Sequence, residues 1–270
     1  MARHTIVSDT PISDPQAGPV SEPLAVRRIG SADLMEALRQ GVADFWASPT
    51  HLVFLGLMYP IIGIFFAGLA FGYNMLPILF PLMSGFALVG PLAAVGLYEI
   101  SRRREQGLDL SWQSMADLFR SPSIGSIAVL GILLMVIFLA WLMTAQTLYQ
   151  SLFGWHAPES MSAFLSEVFT TRNGWWLIVA GNALGFVFSA VVFCISVVSF
   201  PLLLDRNIGA IPAILTSIRA VAANPGPMLL WALIIGALLA VGFIPLFIGL
   251  AVVLPVLGHA TWHLYRRIVA

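Results

Sequence analysis

The chain has 270 residues, 59% of them hydrophobic and only 10% charged, with a net charge of zero and a mean hydropathy of +0.91. Soluble domains carry about a quarter charged residues, so this composition excludes a soluble globular protein and predicts an all-α polytopic membrane protein. All 13 basic residues are arginine, and the single cysteine, Cys194, rules out an internal disulfide and a thiolate metal site.

In chain order, residues 1–30 are rich in proline, serine and acids. They lack the ~7–15-residue apolar core of a secretory signal and are expected to form a disordered cytoplasmic tail ahead of a membrane domain over 31–270. A first surface segment, Ala32–Ala47, follows, with Leu34, Leu38, Val42 and Phe45 at helical spacing and Ser31 as the expected N-cap. Apolar runs able to cross a hydrocarbon core of about 30 Å lie at His51–Phe71, Leu76–Tyr98, Ser123–Leu148 and Trp175–Leu203. Between the third and fourth, Met161, Phe164, Leu165, Val168 and Phe169 predict a short helix on the opposite membrane face. The apolar stretch from Met228 to Leu264 is too long for one span. The Gly and Pro of Val241–Pro245 divide it into Met228–Phe243 and Leu246–Leu264, giving six spans.

Twelve of the thirteen arginines fall on one side of a six-span chain, and only Arg172 falls on the other. Arginine accumulates in cytoplasmic loops, so the expected setting is a bacterial inner membrane with both termini cytoplasmic.

The chain also repeats itself. "VADFWASP", "MADLFRSP" and "RAVAANP" close three segments, Ala32–Ala47, Trp112–Arg120 and Ile211–Ala222, each before a span. Each even-numbered span carries a proline followed by apolar residues and then arginine: Pro91, Pro201 and Pro255. Three units are therefore expected, at about 31–104, 110–206 and 210–267, each a surface amphipathic helix plus a transmembrane hairpin.

Counted from those prolines, Asp205 and His259 stand four residues on, and Glu99 and His263 eight on. A threefold arrangement would gather these four into one polar cluster, with His263 hydrogen-bonded near Glu99. The His259/His263 pair could instead hold a metal or haem. A third reading makes the histidines part of an interfacial belt with Tyr98, Trp262 and Tyr265, and with Arg102, Arg103, Arg104, Arg266 and Arg267 as anchors. On the fourth span, Asn182, Ser189, Ser196 and Ser199 mark either a packing face or a polar path. No phosphate loop, nucleophile elbow, metalloprotease pair or nucleic-acid patch occurs in the sequence, so the expectation is a protein without catalysis, cofactor, metal or nucleic-acid partner.

"DFWASP", "GPLAAVGLYEISRRRE" and "PVLGHATWHLYR" resemble an uncharacterised family of proteobacterial integral membrane proteins. Some of its members carry a cytochrome c oxidase subunit I-like label, which implies a respiratory setting. The catalytic subunit of such an oxidase needs several intramembrane histidines, whereas His51, His259 and His263 all lie near span ends. The expected role is therefore auxiliary or assembly work in the bilayer beside a larger membrane complex, with a small transporter and a haem- or metal-binding protein as alternatives.

Overall fold

The computed structural model describes residues 24–48, 63, 76–110, 120–155, 158, 160–244 and 249–269. The expected first span, His51–Phe71, and nearly all of the second surface segment, Trp112–Arg120, lie outside the described residues. The described chain is helical, as backbone in lipid must be if every amide is to be satisfied within its own segment. Its helices are α1 (Ser31–Ala47), α2 (Leu76–Phe86), α3 (Gly90–Ala93), α4 (Val95–Glu105), α5 (Ile124–Phe153), α6 (Met161–Thr170), α7 (Arg172–Ser196), α8 (Ser199–Asp205), α9 (Ala210–Ala223), α10 (Pro225–Phe243) and α11 (Leu250–Ile268).

Four stretches among the described residues are long and apolar enough to cross a membrane: Phe80–Glu105, Ile124–Phe153, Arg172–Asp205 and Pro225–Phe243. The prolines singled out in the sequence shape the helices that hold them. Pro91 opens α3 just after a 3-10 turn at Ala87–Val89. Pro201 cannot donate to the carbonyl of Val197, and the Arg172–Asp205 stretch breaks there into α7 and α8. The amide of Val198 at that break donates instead to Ser217 Oγ of α9 at 3.2 Å. Pro255 is accommodated inside α11.

One end of the molecule gathers α1, α4, α8, α9, the start of α10 and the end of α11. Here α4, α8 and α11, the segments that follow the three prolines, pack against one another. The opposite end holds α2, the end of α5, the start of α7 and α6, which forms over the predicted short segment and packs on α7. Trp155, Trp175 and Trp176 are all more than half exposed there, as a tryptophan belt at a bilayer boundary requires.

Several sequence expectations change. The tail is tied down from Leu24 onward: Arg27 N donates to Ile268 O at 2.8 Å, Val26 forms an antiparallel bridge with Val269, and Asn224 clamps Ile29 N at 2.8 Å and Arg27 O at 3.0 Å. Residues 26 and 269 therefore share one end of the molecule. Ser31 is the first helical residue and not the cap, because Gly30 takes the cap position and Asp33 reaches back to its amide at 2.9 Å. The face of α1 that packs inward is Leu34, Ala37, Gly41 and Asp44, while Val42 is exposed. A Cβ on Gly41 would fall 2.6 Å from the backbone nitrogen of Ala260, so glycine is what lets α1 lie directly on α11.

The surface helices α1 and α9 are buried in the same register. Counted back from Pro49 and Pro225, Ala37 matches Ala213, Gly41 matches Ser217 and Asp44 matches Ala220, and all six are buried. On the outer side Met35 matches Ile211 and Val42 matches Ile218, all exposed. At these matched positions the inward residues are small or polar and the outward ones are bulky and apolar.

A buried polar junction at the arginine-bearing end

The register of α1 brings Asp44 against the last helix and the end of the second span, where it is the centre of a buried network. Asp44 Oδ2 accepts from Ser101 Oγ of α4 at 2.6 Å and from His263 Nε2 of α11 at 2.8 Å. Its other oxygen faces Arg104 Nη1 at 3.4 Å, and the same Arg104 atom donates to Ala43 O at 3.1 Å. His259 Nδ1 lies 2.6 Å from Ser101 Oγ and 3.9 Å from Asp44. Asp44, Ser101 and His259 are all buried. Burial alone would raise the Asp44 carboxyl, but the hydrogen bonds from His263 and Ser101 and the nearby histidine rings outweigh it and hold the carboxyl below its ordinary range.

Glu99 and Asp205 do not join the histidines. Glu99, buried, is held by its own helix: Arg102 donates to it through Nε at 2.7 Å and Nη2 at 2.9 Å, and Arg103 through Nε at 2.6 Å. Asp205 accepts from the Tyr265 hydroxyl at 2.6 Å and lies 3.4 Å from Arg266 Nη1. Arg266 also reaches Glu105 at 3.1 Å, and Glu105 accepts from Trp262 Nε1 at 3.0 Å. Burial and then the Asp205 carboxylate push the Tyr265 phenol far above its ordinary range, so it stays a neutral donor. Arg267 Nη1 binds Asp33 at 2.9 Å; the Gly30 amide and this guanidinium hold the Asp33 carboxyl below its usual value.

The expected single cluster is thus three neighbouring junctions, and the acidic partner of the histidines is Asp44 in place of Glu99. Tyr98 and Trp262, expected as interfacial anchors, are core residues at 3% and 1% exposure. Sequence reasoning missed Asp44, Ser101, Glu105 and Asn224, and read Arg104 as an interfacial anchor where it serves Asp44. Asp44 had a legible signal: it continues the Leu34–Ala37–Gly41 spacing, so an acid stands on a stripe of small residues.

The composition Asp–Ser–His invites comparison with a hydrolase triad, but its order differs. In a triad the histidine stands between the acid and the serine and takes the serine proton. Here Ser101 stands between Asp44 and His259, and its proton is directed at the carboxylate. The network ties α1, α4 and α11 together, and the Ser101 proton lies on the carboxylate instead of on an imidazole. No group of three or more His, Cys, Asp or Glu side chains among the described residues is disposed to hold a metal ion. On the fourth span Asn182 and Ser189 are exposed on the outside of the bundle, and Asn182 donates to its own helix at Ile178 O, 2.8 Å away.

A bundle of apolar helices, closed at one end by arginine, acid and histidine junctions, defines an integral membrane protein. Residues 79–205, from α2 through α8, match the family described as "Predicted integral membrane protein (DUF2189)", in agreement with the resemblance drawn from the sequence. No curated protein and no solved structure matches the chain.

Proposed function

We propose that the protein is a non-catalytic auxiliary or assembly protein of the bacterial inner membrane that packs beside a larger membrane complex, with respiratory complexes the first candidates. The observation that carries this reading is the use made of the polar side chains. Asp33, Asp44, Glu99, Glu105 and Asp205 are all engaged by side chains of the protein itself, most of them between helices. A transporter needs polar groups lining a path near the midplane; Asn182 and Ser189 point away from the bundle.

The topology proposed with it has six spans in three units, both termini in the cytoplasm. The pairing of Val26 with Val269 supports an even number of crossings between them. The matched burial of α1 and α9 supports a repeat, and so does their packing, since α1 lies on the last span of the third unit and α9 on the last span of the second. The lipid bilayer is the partner proposed for the outer faces of α1 and α9, at the cytoplasmic boundary.

Purification in mild detergent with quantitative identification of co-migrating proteins tests the role. The expected result is a membrane complex in stoichiometric amount, lost when the exposed apolar side chains of α10, Leu229 and Leu233, are replaced by bulkier tryptophan. A lone monomer with measurable solute flux in vesicles would overturn it. Alkaline phosphatase fused after Arg267 should be inactive; activity there would remove the six-span topology.

A further inference from the structure

The two nitrogens of His259 are in different situations. Asp44, as a carboxylate, can only accept, so the single proton of Ser101 goes to Asp44 and the Ser101 oxygen must accept from His259 Nδ1. His259 is therefore the Nδ1–H tautomer, and its Nε2 carries a bare lone pair. That nitrogen is fully buried and has no hydrogen-bond partner among the described residues. The charged and titratable groups that act on the ring are Asp44 from α1, Arg104 from α4 and His263 from its own helix.

We propose that His259 is a proton-operated latch: a second proton on its ring releases α1 from α11 and α4. Protonating Nε2 would create a charged donor in a buried position with no acceptor facing it, which burial penalises strongly. The ring can take that proton only when α1 leaves or the ring swings out to meet solvent. The released state thus binds a proton near the ordinary histidine value of about 6.5, and the docked state does not. By linkage, docking is at full strength above that pH and weakens as pH falls, by up to about tenfold per pH unit.

The other groups act differently. His263 already donates Nε2–H to Asp44 at 2.8 Å, so its contact with α1 does not hang on a bare ring nitrogen. Arg104 is charged throughout, and Asp44 loses its charge only in stronger acid. Release between pH 6.5 and 5 therefore belongs to His259. It would expose Leu34, Ala37 and Gly41, the face α1 keeps against the bundle. Acidity would then regulate what this end of the protein offers to its surroundings, independently of which partner the protein has.

The full-length protein in lipid nanodiscs tests this, with Cys194→Ala and spin labels at Met35→Cys and Leu108→Cys, both exposed positions. One distance is expected at pH 7.5, and a second, longer population should appear below pH 6.5 and grow steadily to pH 5. His259→Asn keeps a donor towards Ser101 but cannot titrate in this range, and should hold the single distance throughout. A wild type with one distance from pH 8 to 5, or a His259→Asn variant with the wild-type response, overturns the latch. Ring nitrogen NMR on the unsubstituted protein provides a reading that does not depend on the variant folding: an Nδ1–H tautomer of His259 is expected at pH 7.5, and an Nε2–H tautomer would overturn the proposal.

Discussion

The arginine-bearing end and the body of the spans are built on opposite terms. At that end nearly every residue of 95–101, 196–204 and 257–268 is buried, serines, an acid and a histidine included. Along α5, by contrast, Ile132, Val136, Leu139 and Met143 stand open, as do Val179, Phe186 and Val187 on α7 and Leu229 and Leu233 on α10. The difference follows from the solvent. Lipid tails are as apolar as leucine, so burying one apolar helix face on another gains little, and association relies on close small-residue contacts and interhelical hydrogen bonds. The end supplies both, through Gly41 on Ala260 and through Asp44. In the body the described counterpart is Trp141, which donates to Pro81 O at 2.8 Å beside Gly85 and Gly185.

If stability resides at the arginine-bearing end, the largest loss should come from Asp44→Ala, which strips the shared acceptor from Ser101 and His263 and leaves Arg104 without its carboxylate. Removing one partner of a buried charged network costs about 3–5 kcal/mol. Thermal unfolding in detergent should show it as a steep fall in Tm. Met143→Ala, on the open face of α5, should leave Tm nearly unchanged, and equal losses in the two variants would erase the distinction between the regions.

Gly41→Val is expected next, at about 1–3 kcal/mol, because its Cβ would meet the backbone of Ala260, which has no flexible end to move aside. Limited proteolysis should then cleave near residues 24–30, since the strap there leans on the α1–α11 pair. A variant as protease-resistant as the wild type would mean that α1 docks by its polar contacts alone.

The effect of the span prolines and the short helix α6 were legible because each depends on local spacing along the chain. The partner choice of His263 was not legible. Glu99 and Asp44 are both acids near the same end, and only the antiparallel course of α1 along α11, allowed by Gly41 far earlier in the chain, decides between them. Tyr98 and Trp262 misled for a related reason: an aromatic residue near arginines at a span end has the same sequence signature whether it lies in headgroups or, as here, in the packed core.

A smaller and more specific effect concerns acid. The Asp44 carboxyl is depressed in the folded protein, so its contribution is present above the unfolded value of 3.8 and is lost as pH falls through the lower folded value. In the His259→Asn background, where the histidine no longer titrates, Tm should hold from pH 7 to about pH 4 and fall only below it. A fall beginning near pH 6 in that background would point to another buried group at this end.

The smallest expected effect tests the outer side of α1. Arg39 binds Glu36 through Nε at 2.7 Å and Nη2 at 2.7 Å, and the guanidinium lowers the Glu36 carboxyl. Arg39 is exposed and Glu36 partly so, and there solvent screening and side-chain entropy cancel most of such an attraction. Glu36→Gln should therefore leave Tm unchanged in detergent and in nanodiscs of neutral lipid. In nanodiscs of anionic lipid the substitution frees Arg39 for headgroups, and a modest rise in Tm is expected there alone. A large loss in every medium would mean that this face is covered by protein and belongs with the buried end, which would move the boundary between the two regions to the far side of α1.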